Sequence, residues 1–235
     1  MKKISVIIPA FNEERYIQKT LSALQQQTFP REFVEIIVVN NVSTDRTEEF
    51  ARMGGADIVV AEPTKGTNRA RQTGLEHASG DVIAFLDADC IPPQWWLEKI
   101  YEKLHQNRDS FVALAGTYKF AEDITEPLYI YEQIYTWLVL PTLNSLMGKV
   151  FKKGGVIIGG NFAAFRETFN KINGIDTSFT FFGDDASIAK NLGTLGLVNF
   201  DPTLYVTTSA RRFEREGLVK TNWEYAKNYF KVMLS

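Results

Sequence analysis

Four short apolar runs, at residues 4–8, 33–39, 57–61 and 82–86, alternate with segments of helical periodicity, and this alternation limits the fold most strongly. Each run is continuous enough to be a strand buried on both faces, as in a parallel sheet. Parallel neighbours need crossovers, and the intervening segments supply helices. The first carries Ile17, Leu21 and Leu24 at core spacing, with Asn12 as its cap. The second, capped by Thr44 or Asp45, runs through Met53; the third follows the loop Lys65-Gly66-Thr67-Asn68 and runs through His77. Right-handed crossovers then gather the turns that follow the strands along one sheet edge, over one crevice. The expected class is α/β, with a mainly parallel central sheet flanked by helices and a single domain over residues 1–235.

The fourth run ends on Asp87-Ala88-Asp89, and Pro92-Pro93 then opens a helix over 94–105. Carboxylates at a strand end are hard oxygen donors, suited to magnesium or manganese carried by a phosphate ligand. A turn with a helix cap uses the same residues, so this spacing alone leaves both readings open. Neither Gly-x-x-x-x-Gly-Lys-Ser/Thr nor a Gly-x-Gly-x-x-Gly after the first strand is present, and Gly154-Gly155 and Gly159-Gly160 lack dinucleotide spacing. Any diphosphate would therefore have its charge met by a metal and basic side chains.

Composition removes other classes. A net charge of -2 gives no electrostatic basis for nucleic-acid binding. One cysteine, Cys90, allows no intramolecular disulfide or Cys-rich zinc site and fits a reducing compartment. The apolar run behind Met1-Lys2-Lys3 is too short for a signal peptide, and no stretch is long and apolar enough to span a bilayer.

The second half reads as a strand at 111–116, an aromatic and leucine-rich stretch at 128–150, short strands at 198–200 and 204–208, and a helix at 186–195. The 128–150 stretch is either buried helices over a site or a surface that meets lipid. Lys152-Lys153 with Gly154-Gly155 is either a mobile basic loop or a solvated turn. In 217–235, Val219, Trp223, Ala226, Phe230 and Met233 fall at helical spacing, flanked by Lys220, Lys227 and Lys231. Such a helix docks on the core or lies on an anionic membrane.

Taken in order, several pieces resemble a family 2 glycosyltransferase of the GT-A, Rossmann-like fold. They are Ser5-Val6-Ile7-Ile8-Pro9-Ala10-Phe11-Asn12-Glu13, Val38-Val39-Asn40-Asn41-Val42-Ser43-Thr44-Asp45, Ala70-Arg71-Gln72-Thr73-Gly74 and Gly80-Asp81-Val82-Ile83. Asp87-Ala88-Asp89, Gly160-Asn161-Phe162-Ala163-Ala164-Phe165-Arg166 and Gly183-Asp184-Asp185 complete the series. Each motif is weak alone; the ordered series, from residue 4 to about residue 213, is specific.

The resemblance implies a nucleotide-binding half (1–92), an acceptor-binding half (93–213) and a C-terminal amphipathic helix (214–235). Pro9, Ala10, Phe11 and Glu13 would line the nucleotide pocket, with Asn41 at the base-reading position, where the family usually has aspartate. Arg71 would face the nucleotide or diphosphate. Asp87 and Ala88 would lie beside the ribose, and Asp89 with Asp87 would hold Mn2+ or Mg2+. His77 and His105 fall on helices outside the motifs and are read as surface residues. Gly160, Asn161 and Asp184 would face the acceptor, Asp185 would be the catalytic base, and Arg211 and Arg212 could meet the diphosphate.

The implied reaction is inverting, metal-dependent transfer from a nucleotide-diphospho-sugar, with UDP first, to a hydroxyl on a saccharide or lipid-linked acceptor. It fits cell-envelope, polysaccharide or glycolipid synthesis at the cytoplasmic side of a membrane, with peripheral contact through 217–234. The alternatives are a polyprenyl-phosphate sugar synthase and a non-catalytic nucleotide-sugar-binding domain.

Overall fold

A computed structural model describes residues 3–121, 124–150, 154–179 and 183–234, without the side chains of residues 149, 150, 212, 214 and 234. The first half alternates as expected: β1 (Ile4–Ala10), α1 (Ile17–Gln25), β2 (Val34–Asn41), α2 (Thr47–Met53), β3 (Ile58–Glu62), α3 (Thr67–His77) and β4 (Val82–Leu86). There follow α4 (Trp96–Gln106), β5 (Ala113–Phe120), α5 (Glu126–Ile134), α6 (Leu140–Ser145), β6 (Asn161–Phe165) and α7 (Arg166–Lys171). The chain continues through α8 (Asp184–Gly193), β7 (Val198–Thr208), α9 (Arg211–Glu216) and α10 (Leu218–Leu234).

The seven strands form one sheet in the order β3-β2-β1-β4-β6-β5-β7. Only β6 runs antiparallel to its neighbours, so the sheet is mainly parallel, as expected. Its two faces follow from the period-two geometry of strands. Ile4, Val6 and Ile8 pack with α1 and α4 on one face, while Ile7, Ile37 and Phe85 pack with α3, α7 and α8 on the other. Strand order reverses between β1 and β4, which places a crevice at their carboxyl ends.

Several local expectations are corrected. Asn12 does not cap α1, which starts five residues later; its backbone is left-handed (φ 56°), and its Oδ1 accepts the Thr44 N–H. Residues 198–208 are one continuous strand, not two, though its pairing with β5 breaks between Phe200 and Tyr205, where the Asp201 carboxylate accepts the Thr203 N–H and hydroxyl. Residues 211–216 are helical, and the C-terminal helix is separated from them by Gly217, whose φ of 81° suits a residue without Cβ.

Residues 126–150 form one helical stretch that widens into π turns at Tyr135–Val139 and Leu146–Val150. Pro141 has no N–H to continue an α-helical ladder, and the first widened turn directly precedes it. The stretch buries Leu128, Glu132, Thr136, Leu140 and Met147 but exposes Tyr129, Ile130, Ile134, Trp137, Leu138 and Leu146. The buried-helix reading thus holds for one face only. In α10, Thr221, Val232 and Met233 are buried, while Val219, Trp223, Ala226 and Phe230 of the expected docking face are exposed. Lys152 and Lys153, and residues 180–182, lie outside the described residues.

Asn161 locks the far side of the sheet. It is fully buried; its Nδ2 donates to the carbonyls of Thr117 (2.8 Å) and Leu204 (2.9 Å), and its Oδ1 accepts the Trp96 indole N–H (2.9 Å). Expected toward the acceptor, this amide is instead spent inside the core, where the β5–β7 register shifts between Ala115 and Thr117. Asn161→Ala would strand three buried polar groups at once. We expect a loss of about 2–4 kcal/mol, read as a lower urea midpoint with unchanged slope. An unchanged midpoint would contradict this role.

Candidate active site

The carboxyl end of β4, the first turn of α8 and the Gly159-Gly160 turn meet around one buried guanidinium. Arg71, on α3, is 3 % exposed. Its Nη1 donates to Asp184 Oδ2 at 2.9 Å, Asn68 Oδ1 at 3.1 Å and Asp185 Oδ1 at 3.3 Å, and its Nη2 lies 3.9 Å from Asp87 Oδ1. Burial works against the charge, yet Asp185, Asp184 and Asp87 outweigh it and raise the arginine's pKa. Expected toward the diphosphate, Arg71 is thus committed to the protein's own carboxylates.

Gly159 and Gly160 make this packing possible. A Cβ on Gly159 would fall 2.0 Å from Arg71 Nη2 and 2.1 Å from Asp185 Oδ1, and one on Gly160 would fall 2.2 Å from the Asp87 carboxyl. Gly160 is buried, so the close approach expected toward an acceptor sugar is made to Asp87 instead. Asp87 Oδ2 also accepts the Tyr118 hydroxyl at 2.6 Å. Burial first, then neighbouring Asp89, raises the Asp87 pKa against the pull of Arg71 and Tyr118. Burial and Asp87 push the Tyr118 phenol upward.

Asp184 and Asp185 open α8, where helix N-terminal N–H groups favour negative charge. Their environments differ: the Asp184 side chain is 14 % exposed, that of Asp185 36 %. Burial and the Asp184 charge push Asp185 up to about 7, opposed by Arg71 and the Gly159 N–H. A carboxylate that is half protonated near neutrality and opens to the crevice can take and release a proton.

The metal-side group lies across the crevice. One ligand atom each from Asp87, Asp89 and Cys90 falls within 4.8 Å of the others. Asp89 Oδ2 also meets the Arg211 guanidinium at 3.1 Å and the Ser209 hydroxyl at 3.3 Å. Arg211 forms a two-pronged pair with Glu13, through Nη2 to Oε1 at 2.5 Å and Nη1 to Oε2 at 3.1 Å, and stacks 4.7 Å over the Tyr16 ring. Glu13 and Arg211, expected separately on nucleotide and diphosphate, are thus one ion pair bridging the first-strand turn and α9. The Arg212 side chain lies outside the described ones.

The remaining expectations divide. Phe11 is exposed, with Lys65 Nζ 4.3 Å over its ring, which leaves an aromatic platform at the mouth of the crevice. Pro9 is half-buried, and Ala10 and Ala88 are buried, with side chains facing the core. The Asn41 amide, expected to read the base, is engaged by the backbone: its Nδ2 donates to the carbonyls of Glu62 and Thr64, and its Oδ1 accepts the Gly66 N–H. The amide holds the loop between β3 and α3, and both ends are satisfied. Asn40 is likewise engaged, by Glu48 and the Ser43 N–H. His77 and His105 are exposed helix residues, as expected. Two contributors were not anticipated, Tyr118 and Asn68. Tyr118 lay beyond the expected end of its strand, and Asn68 was read as loop although it stands one helical turn before Arg71.

The family model described as Glycosyl transferase family 2 matches residues 5–172. The chain is 45 % identical over 101 residues to Glycosyltransferase AglE of Haloferax volcanii, covering 41 % of this chain and 33 % of that protein. It is 28 % identical over 188 residues to the Glucosyl-dolichyl phosphate glucuronosyltransferase of the same organism, covering 77 % of this chain and 58 % of that one. It thus spans from a third to under two-thirds of these relatives' lengths. Among solved structures, the mannosyltransferase PcManGT from Pyrobaculum calidifontis, in complex with GDP-Man and Mn2+, superposes with a TM-score of 0.68 at 21 % identity, covering 99 % of this chain and 68 % of that one. That likeness bears out the GT-A architecture, and the family match, which covers most of the sequence, shows the lineage: the chain belongs to glycosyl transferase family 2.

Proposed function

We propose that this chain transfers a hexosyl group from a nucleotide-diphospho-sugar to an acceptor hydroxyl with inversion, Asp185 acting as general base. The observation that carries the proposal is the pairing of Asp184 and Asp185 on Arg71. One guanidinium holds the more enclosed carboxylate, Asp184, at 2.9 Å, and leaves the more open one, Asp185, with a pKa of about 7. Asp185 accepts the hydroxyl proton as the acceptor oxygen attacks the anomeric carbon from the face opposite the diphosphate. Asp184 keeps Arg71 in place, and Arg71 in turn orients Asp185.

The donor set at Asp87 and Asp89 fits a hard divalent cation: two carboxylates converge at the end of β4, beside a crevice at the switch point. Cys90 is the softer member, and burial first, then Asp89, raises its thiol pKa, which leaves the oxygens as the ligands for Mn2+ or Mg2+. A bound divalent ion supplies charge neutralisation for the departing diphosphate. Arg211, already beside Asp89, is the side chain nearest to share that charge. Phe11 offers the stacking face for the base. With Asn40 and Asn41 both engaged, neither amide selects the base, and a UDP-sugar is the first donor to assay, beside GDP-sugars.

The acceptor reading includes lipid-linked saccharides, as in the name of the Haloferax glucuronosyltransferase. That reading fits glycan or envelope synthesis at the cytoplasmic face of a membrane. The polyprenyl-phosphate alternative needs no base, and the elevated Asp185 favours the hydroxyl acceptor over it.

Asp89→Ala should keep the fold yet lose the rise in melting temperature that manganese and UDP together give the parent. Equal stabilisation of the variant would remove Asp89 from the metal site. Asp185→Asn should bind donor as the parent does and transfer sugar about 100- to 10,000-fold more slowly. Near-parental turnover would rule out the base. Because only the deprotonated carboxylate accepts a proton, kcat/KM should rise with pH through an apparent pKa near 7 and then level. A flat profile from pH 5 to 9 would contradict this.

A further inference from the structure

Outside the crevice, the most unusual surface is the outer side of the 126–150 stretch. Trp137 and Leu138 are 54 % and 63 % exposed, in line with Ile134 and Ile130 about one and two turns earlier. No charged residue occurs from Gln133 to Gly148. A water-facing helix normally carries charge on its outer side, and this one carries tryptophan, isoleucine and leucine.

The inner side of the same stretch faces the proposed reaction. The Asp185 charge raises the pKa of the Tyr135 phenol, second to burial, and Glu132 accepts the N–H of Phe120 at the end of β5. Alongside lies α10: Tyr131 donates to Asn222, and Val232 and Met233 share a cluster with Met147, against which Leu143 and Tyr229 pack. The outer side of α10 exposes Val219 (85 %), Trp223 (68 %) and Phe230, among exposed Lys220, Lys227 and Lys231. Within α10 three lysines stand against one glutamate, Glu224, which lies 4.0 Å from Lys227.

We propose that these two adjacent stripes are a membrane-docking surface, with the 126–150 stretch seated in the interface of an anionic bilayer and the α10 lysines on its headgroups. Three features select a bilayer. Tryptophan and tyrosine are the side chains suited to the membrane–water boundary, and Tyr129, Trp137 and Trp223 are all exposed here. The lysines match anionic headgroups, whereas a two-fold contact with a second copy would bring lysines toward lysines. Finally, the charge-free run from Gln133 to Gly148 beside a lysine-bearing helix is the polarity split of a segment that lies in the interface rather than one that crosses it. The proposal uses the glycosyl-transfer reading only to name the acceptor as lipid-linked; docking itself needs no donor and no chemistry.

The test is sedimentation of the protein with vesicles of phosphatidylglycerol and phosphatidylcholine, against phosphatidylcholine alone, at low and high salt, without donor or acceptor. Binding should require the anionic lipid, weaken with salt, and shift the emission of Trp137 and Trp223 to the blue, as assigned with Trp137→Phe and Trp223→Phe. Lys220→Gln with Lys227→Gln should weaken binding roughly 25-fold, and Trp137→Gln with Leu138→Gln at least about tenfold. All four positions are exposed, and unchanged melting curves would show that the variants are folded. Absence of anionic-vesicle binding by the parent would overturn the proposal, as would equal binding by both double variants. A concentration-dependent dimer in light scattering that Trp137→Gln with Leu138→Gln dissolves would also overturn it, in favour of a second copy. Sugar transfer may succeed or fail in any of these cases, so the two readings are tested separately.

Discussion

The site depends on the charge of Arg71. A buried guanidinium is costly unless its donors are met by carboxylates at hydrogen-bonding distance. Here Asp184 and Asp185 come from α8 and Asp87 from the end of β4, so one arginine on α3 ties the distant α8 to the neighbouring end of β4. Removing any one carboxylate would unbalance the others, since each is kept in its state by the same cation. Asn68, one helical turn earlier, adds a further acceptor for Arg71 Nη1 while the buried Nε is left without a partner, and it also donates to the carbonyl of Asp176, which fastens the approach to α8.

Two consequences follow from that arrangement. The backbone must come close to the cluster, and Gly159-Gly160 permits it where any Cβ would collide. The carboxylates are also driven apart in character. Asp184 takes the shortest bond to Arg71 and sits deeper, while Asp185 absorbs the repulsion and the burial and rises to about 7. On the opposite wall Asp89 shares Arg211 with Glu13. On the proposed reading the crevice has one side that would take a proton and one that would meet phosphate charge, and Asp87 belongs to both.

Much of the fold was legible because strand and helix periods differ and the strand ends were marked by polar residues. The runs at 4–8 and 82–86 fall within β1 and β4, and the ordered aspartates do converge on one crevice. Side-chain destination was less legible. Asn41 and Asn161 stand where the family motifs stand, but an amide serves a ligand and a buried backbone carbonyl equally well, and only the tertiary packing decides. The engagement of Arg71 with carboxylates of the chain was not legible, because Asp184 and Asp185 lie more than a hundred residues away in the sequence. Tyr118 was hidden by a strand end placed too early. The exposed face of 126–150 could be read from its aromatic composition as either core or lipid-facing, since both exclude charge.

A carboxyl-carbon NMR titration of aspartates in the ligand-free protein tests most directly whether Arg71 organises the acidic cluster. One aspartate, missing from the spectrum of Asp185→Asn, should titrate near 7, and its curve should move when Asp184 is replaced by Asn. If Asp185 titrates in the ordinary carboxylate range near 4 and its curve ignores the Asp184 replacement, the buried cluster does not couple as described, and the base assigned to it would be contradicted.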